Sequence, residues 1–393
     1  MDMRISDEHR ALRRMAREFA EREIRPIAAE RDRIPDPREV FTWDIVRKGS
    51  RLGLRTLAVP ERFGGPGVDL VGQCLVILEL ARGDGAIAKT FSQCWKWTPM
   101  LTELATAEQR EHFLPPFLED DTYLLAMAGT EPEAGSDNRM PPDDPAAGWK
   151  TSAVREGEEW VLNGTKHFIA NGGVAKLYVV MTRTDRTVPI TRGTTMFFVP
   201  ADTPGFRIGR VHDKVGFRFY QNAELIFEDC RVPDANLLGE VNKGKSASRE
   251  RIVGFNDVEL AANVLGIAQA AFEHALEHAR NRVQGGRPII EHQAVSLMLA
   301  DMRMRLEAGR SYLLRVAAGC QEEGDRFDPA AKALLKVFAT EAATRVGQQA
   351  VEIFGGMGIM REAPVEKLWR DVSVFPHLAS DSVQILRAAR FLR

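Results

Sequence analysis

Cysteine is scarce in this chain. The four thiols in 393 residues (Cys74, Cys94, Cys230 and Cys320) are scattered. They have neither the spacing of a zinc or redox site nor the density of a disulfide scaffold, so each reads as a small buried hydrophobe. An excess of one charge is lacking too. Lysine and arginine total 53 against 55 acidic residues, a formal net charge of −2, which argues against the basic stripe of a nucleic-acid-binding domain. No apolar run reaches the length that spans a bilayer, and Met1-Asp2-Met3-Arg4 does not read as a secretory signal. The expectation is a cytoplasmic protein with no membrane or nucleic-acid partner, no metal site and no internal repeat. The length exceeds that of a single core, so two or three domains are expected.

Hydrophobic spacing divides the chain into three. Residues 1–123 read as helical: Leu12, Met15, Phe19 and Ile24 recur at helical spacing behind a Ser6 or Asp7 cap, with Pro26 near an end or kink. Phe63 to Gly67 is a loop, and Leu70 to Ala81 is helical again. Residues 124–238 change to a period of two, a small antiparallel β-domain. Asn163-Gly164 between Trp160-Val161-Leu162 and Thr165 to Ile169 predicts a hairpin turn, and Asn171-Gly172-Gly173 a second. Strands are expected at 177–181, 195–199 and 223–227, with a surface loop at Pro141 to Pro145. Residues 239–393 return to helix: about 256–283, broken by Gly285-Gly286, then 290–323, then a helix from the Asp328-Pro329 cap to Gly355-Gly356, and a last one near Ser380 or Ser382. Short connections make these a four-helix antiparallel bundle.

Five segments then fall in a fixed order: Gly129-Thr130-Glu131-Pro132 through Gly135-Ser136-Asp137; Leu162-Asn163-Gly164-Thr165-Lys166; Glu291-His292-Gln293; Glu352-Ile353-Phe354-Gly355-Gly356; and Pro364 through Asp371. Together they resemble the acyl-CoA dehydrogenase family of flavoenzymes along essentially the whole chain. The fold class implied is mainly α with a central β-domain: an N-terminal α-domain, a middle β-domain and a C-terminal four-helix bundle. The cofactor implied is FAD and the substrate an acyl-CoA thioester. An electron-transfer flavoprotein is the implied electron acceptor and a homotetramer the implied assembly.

Thr130 offers a hydroxyl, Gly129 an unobstructed amide, and Gly135-Ser136 a turn able to approach phosphate. By resemblance, Met127, Ala128, Gly129, Thr130, Gly135 and Ser136 lie along the flavin, and Ser136 also touches the CoA portion. Phe168, Ile169 and Ala170 match the segment beside the flavin ring. The family's hydroxyl at position 170, which donates to flavin N5, is absent; such a bond is worth ~0.5–1.5 kcal/mol. Arg282 matches an arginine that reaches the FAD pyrophosphate of a neighbouring subunit. Gln293 and Glu352, Ile353, Phe354, Gly355 and Gly356 complete the implied contacts, Glu352 standing where the family often has glutamine.

What the family uses to remove the α-proton is missing. Counting forward from Arg370-Asp371 puts Ala379 at the usual glutamate, and counting back from Gln384 to Arg387 puts Ser380 there. Some members carry the glutamate on the first bundle helix instead, and that position is Asn256. Asp257, beside it, replaces a common arginine. Asn256 and Asp257 are the expected substrate contacts. The carboxylates left as candidate bases are Asp381, then Asp257, then Glu259. Asp381 reads equally as a helix cap. Trp95-Lys96-Trp97 falls where the family's substrate cavity is often lined. The leading reading is α,β-desaturation with a relocated or absent base. A flavin-dependent oxidase or monooxygenase, a non-redox elimination of the desulfinase type, and a silent binding subunit are the alternatives.

Overall fold

The structure, a computed structural model, describes residues 5–391; the Met1–Arg4 segment lies outside them. The N-terminal part is helical, as its spacing predicts. Helix α1 (Asp7–Phe19) is capped by the Ser6 hydroxyl, which accepts from the His9 amide at 3.1 Å. A wider turn (Ala20–Ile24) leads into α2 (Arg25–Asp32), and Pro26 stands in the first turn of α2, where its missing N–H is harmless. Helices α3 (Trp43–Arg51), α4 (Leu70–Gly83), α5 (Gly85–Pro99) and α6 (Ala107–Glu119) follow. Asp84 ends α4 and caps α5, accepting from Ile87 N at 2.9 Å. Both helices are buried almost all round, so apolar residues are spread over their faces and the polar ones among them, such as Glu79, Lys89 and Ser92, are paired inside.

Among the described residues, eight strands form one sheet: β1 (Leu125–Ala128), β2 (Ser152–Glu156), β3 (Glu159–Ala170), β4 (Leu177–Arg183), β5 (Thr194–Pro200), β6 (Phe206–Val211), β7 (Asn222–Pro233) and β8 (Leu237–Leu238). The order is β6-β7-β3-β2-β4-β5-β8, with β1 on β4. The sheet is mixed rather than purely antiparallel, because β1 and β2 both meet β4 in parallel. Strand β4 shows why it is wholly buried. Leu177, Val179 and Met181 join the core shared with the helical domains, while Tyr178 and Val180 enter a second cluster on the other face, with Trp160, Phe197 and Phe227.

The Asn163-Gly164 hairpin is not formed. The β2–β3 turn falls at Gly157-Glu158, and Asn163-Gly164 lies inside β3, at a break in the register with β7. Asn163 bridges to Asp229, donating through Nδ2 at 3.1 Å, and Gly164 has φ 142°. Asn-Gly was read as a turn, yet the pair serves a bulge, which needs the same unusual backbone. A Cβ on Gly164 would stand 2.6 Å from Thr151 Oγ1 and 2.7 Å from Thr151 Cα. Gly164→Ala is therefore expected to destabilise by about 1–3 kcal/mol, read from the chemical denaturation midpoint. The Asn171 turn does form, at φ 55°.

After a short α7 (Ser136–Arg139) in the β-domain, the remaining helices are α8 (Gly244–Asn281), α9 (Gln293–Glu323), α10 (Pro329–Phe354), α11 (Pro364–Val374) and α12 (Asp381–Arg390). Helix α8 begins well before the expected Asn256, and α11 is an addition to the four helices expected. The Asp328 cap is confirmed, accepting from Ala330 N at 2.8 Å. A two-residue hairpin, β9 (Val283–Gln284) with β10 (Arg287–Pro288), turns at Gly285-Gly286.

Candidate functional site

Two of the sequence segments turn out to be halves of one interaction. Glu131, from the Thr-Glu-Pro segment, accepts from Lys166 Nζ at 2.7 Å; Lys166 closes the Leu-Asn-Gly-Thr-Lys segment on β3. The same carboxylate accepts from the amides of Lys150 (2.7 Å) and Thr151 (3.0 Å). His167 N donates to Thr130 O at 2.8 Å. The stretch after β1 is thus stapled to β2 and β3. Burial drags the Lys166 ammonium down to about 8, with Glu131 opposing it. Glu131 is desolvated as well, but Lys166 and the donated N–H groups outweigh that, and its pKa falls.

The staple holds out a shelf. Phe168 has a left-handed backbone (φ 57°) and is 56% exposed, beside His167 and His212 at ring distances of 4.1 and 4.6 Å. An exposed aromatic in a strained conformation calls for a flat apolar partner. A Cβ on Gly135 would meet nothing within 4 Å, nor would one on Gly355 or Gly356. Gly356 has an ordinary φ, so contacts within the chain do not explain its lack of a side chain; close approach by another group does. The Trp149 indole N–H, buried near Gly129, has no hydrogen-bond partner. These features fit a planar ring system with a phosphate-bearing tail. Met127–Thr130, Gly135, Ser136 and Phe168–Ala170 are the residues that would hold it on this side.

The other expected contacts gather at one end of the bundle. Arg282 closes α8 and is exposed, with no side-chain partner among the described residues. His278, one turn earlier, stacks on Phe354 at 4.0 Å. Gln293 opens α9, and Glu352, Gly355 and Gly356 at the end of α10 are exposed, with Ile353 buried and Phe354 half-buried between them.

The residues at the two expected base positions are joined by a continuous polar chain. Lys96 Nζ, on α5, donates to Asn256 Oδ1 at 2.5 Å. Asn256 Nδ2 donates to Asp257 Oδ1 at 3.2 Å. Gln384 Nε2, on α12, donates to the same oxygen at 2.9 Å and to Ala379 O at 3.3 Å. Arg387 completes Asp257, at 3.3 Å from Oδ2. Both expected base positions therefore lie on one network spanning α5, α8 and α12. Ala379 (φ 62°) and Ser380 (φ 47°) are consecutive left-handed residues that lead the chain into α12.

Each candidate carboxylate is already engaged. Asp381 is not the cap of α12; Ser380 holds that position, and Asp381 opens the first turn with its side chain paired to Lys336, which also donates to Phe375 O at 2.7 Å. Burial raises the Asp381 carboxyl despite Lys336. Glu259, fully buried, accepts from Lys89 Nζ and from Ser92 Oγ, both at 2.5 Å. Of the Trp95-Lys96-Trp97 run, Trp95 is core, donating to Leu54 O at 2.6 Å. Lys96 faces the network, which its position between two tryptophans did not reveal.

The last motif proves to be a frame. Lys367 Nζ lies 2.6 Å from both Asp84 and Asp371. Arg370 pairs with Asp32 (2.7 Å) and donates to Val215 O (2.8 Å), and the Phe217 amide donates to Asp371. Helix α11 thereby ties all three domains together. A cleft of about 210 Å³ opens beside it, lined by Arg25, Arg82, His274, Arg361, Lys367 and Arg370 among others.

Among the described residues no cluster of potential metal ligands occurs, and no helix is long and apolar enough to cross a membrane. Models of the acyl-CoA dehydrogenase N-terminal, middle and C-terminal domains match residues 6–121, 126–230 and 242–392. The chain is 36% identical over 394 residues to "Acyl-CoA dehydrogenase" of Bacillus subtilis (strain 168), covering 99% of each. It is 35% identical to "Acyl-CoA dehydrogenase, short-chain specific" of Megasphaera elsdenii, covering 95% of this chain and 94% of the relative. The solved butyryl-CoA dehydrogenase from Megasphaera elsdenii superposes with a TM-score of 0.91 at 34% identity, covering 100% of both chains. The chain belongs to the acyl-CoA dehydrogenase family, as an FAD-dependent oxidoreductase acting on CH–CH groups.

Proposed function

We propose that the protein desaturates the α,β-bond of an acyl-CoA of short to medium length, passing the electrons on to an electron-transfer flavoprotein, and that it works as a homotetramer whose neighbouring subunit supplies Arg282, Gln293 and Glu352–Gly356 to each FAD. The observation that carries this reading is the Glu131–Lys166 staple, which holds the Thr130–Ser136 stretch and the exposed Phe168 side by side. Full-length similarity to short-chain and butyryl-CoA enzymes supports the chain length. Bound FAD supplies the oxidising power. The chain's own residues position the thioester, exclude water and take up the α-proton, with Ser136, Asn256 and Asp257 as substrate contacts.

The test is anaerobic flavin bleaching against a panel of straight, branched and cyclic acyl-CoAs. Bleaching by at least one is expected, and a flavin that stays oxidised with all of them sinks the reading. Ala170 gives the second reading, an oxidase or monooxygenase, its specific support, because no side-chain hydroxyl stands at that position to donate to N5. Oxygen consumption outpacing transfer to an electron-transfer flavoprotein would decide for it. On the dehydrogenase reading, Ala170→Ser is expected to speed flavin reduction by roughly 2- to 10-fold, one neutral hydrogen bond's worth. Stopped-flow absorbance checks it.

A further inference from the structure

We propose that the ε-amine of Lys96 is the base that removes the α-proton, in place of the carboxylate absent from 256, 379 and 380; this rests on the desaturation reading above. Lys96 is the cationic side chain bonded to one of the two base positions, its Nζ lying 2.5 Å from Asn256 Oδ1. Asp257 fixes which way that amide points, because Asn256 Nδ2 donates to it. The Trp97 ring lies 4.5 Å from Nζ. No other hydrogen bond to Lys96 Nζ occurs among the described residues, so part of the amine is free for a substrate. Lys96 itself is half-buried, between the buried Trp95 and Trp97.

A base must be neutral before it acts, and the charges around Lys96 favour that. On its own helix, Lys89 is spent on Glu259. From α8, Glu259 is filled by Lys89 and Ser92, and Asp257 by Gln384 and Arg387 of α12. Arg139 of α7 adds a positive charge. The amine thus has no counter-ion of its own. Burial first, then Lys89 and Arg139, hold it well below the usual lysine range, and Glu259 and Asp257 only partly oppose them.

The step balances. The α-C–H bond breaks and its proton joins the Nζ lone pair, while its electrons form the new double bond. Bound FAD would supply the two-electron oxidant that takes the β-hydrogen with its electron pair. The resulting ammonium then faces the negative charge developing on the thioester, steadied by the Trp97 ring, a benefit a neutralised carboxyl lacks.

The experiment compares the wild-type holoenzyme with Lys96→Gln, Lys96→Arg and Asp381→Asn. It measures anaerobic bleaching and solvent-deuterium exchange at the acyl α-carbon. Arginine keeps the charge but cannot deprotonate. Both Lys96 variants are expected to lose exchange and bleaching by 10²–10⁴-fold with normal FAD content, and Asp381→Asn to keep them. Wild-type kcat/KM should rise with pH through the Lys96 ionisation. Independently of turnover, competitive acetic anhydride labelling of the wild type should find Lys96 reactive near neutral pH; an unreactive Lys96 overturns the proposal even if the variants misfold. Normal exchange in Lys96→Gln, or its loss only in Asp381→Asn, overturns the lysine and leaves desaturation standing. No bleaching and no exchange in the wild type with any acyl-CoA overturns both.

Discussion

Lys367→Met is expected to destabilise the protein by about 3–5 kcal/mol, the cost of breaking a buried ion pair from one side. Lys367 stands between Asp84 and Asp371, which are almost fully buried. Burial alone would lower the lysine, yet the two carboxylates hold it above its ordinary range. Its stabilising contribution is present below the unfolded lysine value and is lost only as pH rises through the higher folded one, so it is constant across neutral pH. Removing the ammonium leaves two carboxylates facing one another in a region tied to all three domains. The triple variant Lys367→Met, Asp84→Asn, Asp371→Asn should recover most of the loss, because the amide oxygens can still accept from Ile87 N and Phe217 N. Thermal denaturation of the three proteins checks this; a single variant as stable as the wild type would show the frame to be dispensable.

Lys166→Met is expected to cost a similar ~3–5 kcal/mol and to lower FAD content, because the lost partner is the one that fixes the Thr130–Ser136 stretch. Glu131 would keep its two backbone donors but lose the cation it pairs with among the described residues. The folded Glu131 pKa lies below its unfolded value. Its contribution is therefore present above about pH 4.3 and disappears as pH falls through the folded pKa. Flavin fluorescence, followed as the solution is acidified, should show release at a lower pH in the wild type than in Lys166→Met. Identical release curves would mean that the pair does not hold the cofactor segment.

The three-domain order and the helix starts at Ser6, Leu70 and Asp328 were legible because local rules decide them: a capping oxygen, an apolar stripe, a proline in the first turn. The Asn163-Gly164 turn misled because hairpins and bulges ask the backbone for the same thing, and only the partner strand tells them apart. For the site, the segments were readable but their physical cause was not. Glu131 and Lys166, or Lys367 and Asp84, are pairs made by folding, invisible to spacing within one element. Lys96 was passed over for the same reason: its meaning comes from Asn256, on a helix far along the chain.

The left-handed pair Ala379-Ser380 bears on how reversible the departure from the family is. Ala379 O and the Asp257 carboxylate share the same Gln384 donor. A glutamate reintroduced at 379 would inherit a backbone bent into an uncommon region and would bring a second negative charge close to Asp257. Ala379→Glu alone is therefore not expected to supply a working carboxylate base at this place. A carboxylate there would need the backbone turn at 379–380 and the charge at 257 to change with it, so the place is shaped by two coupled features rather than by one side chain.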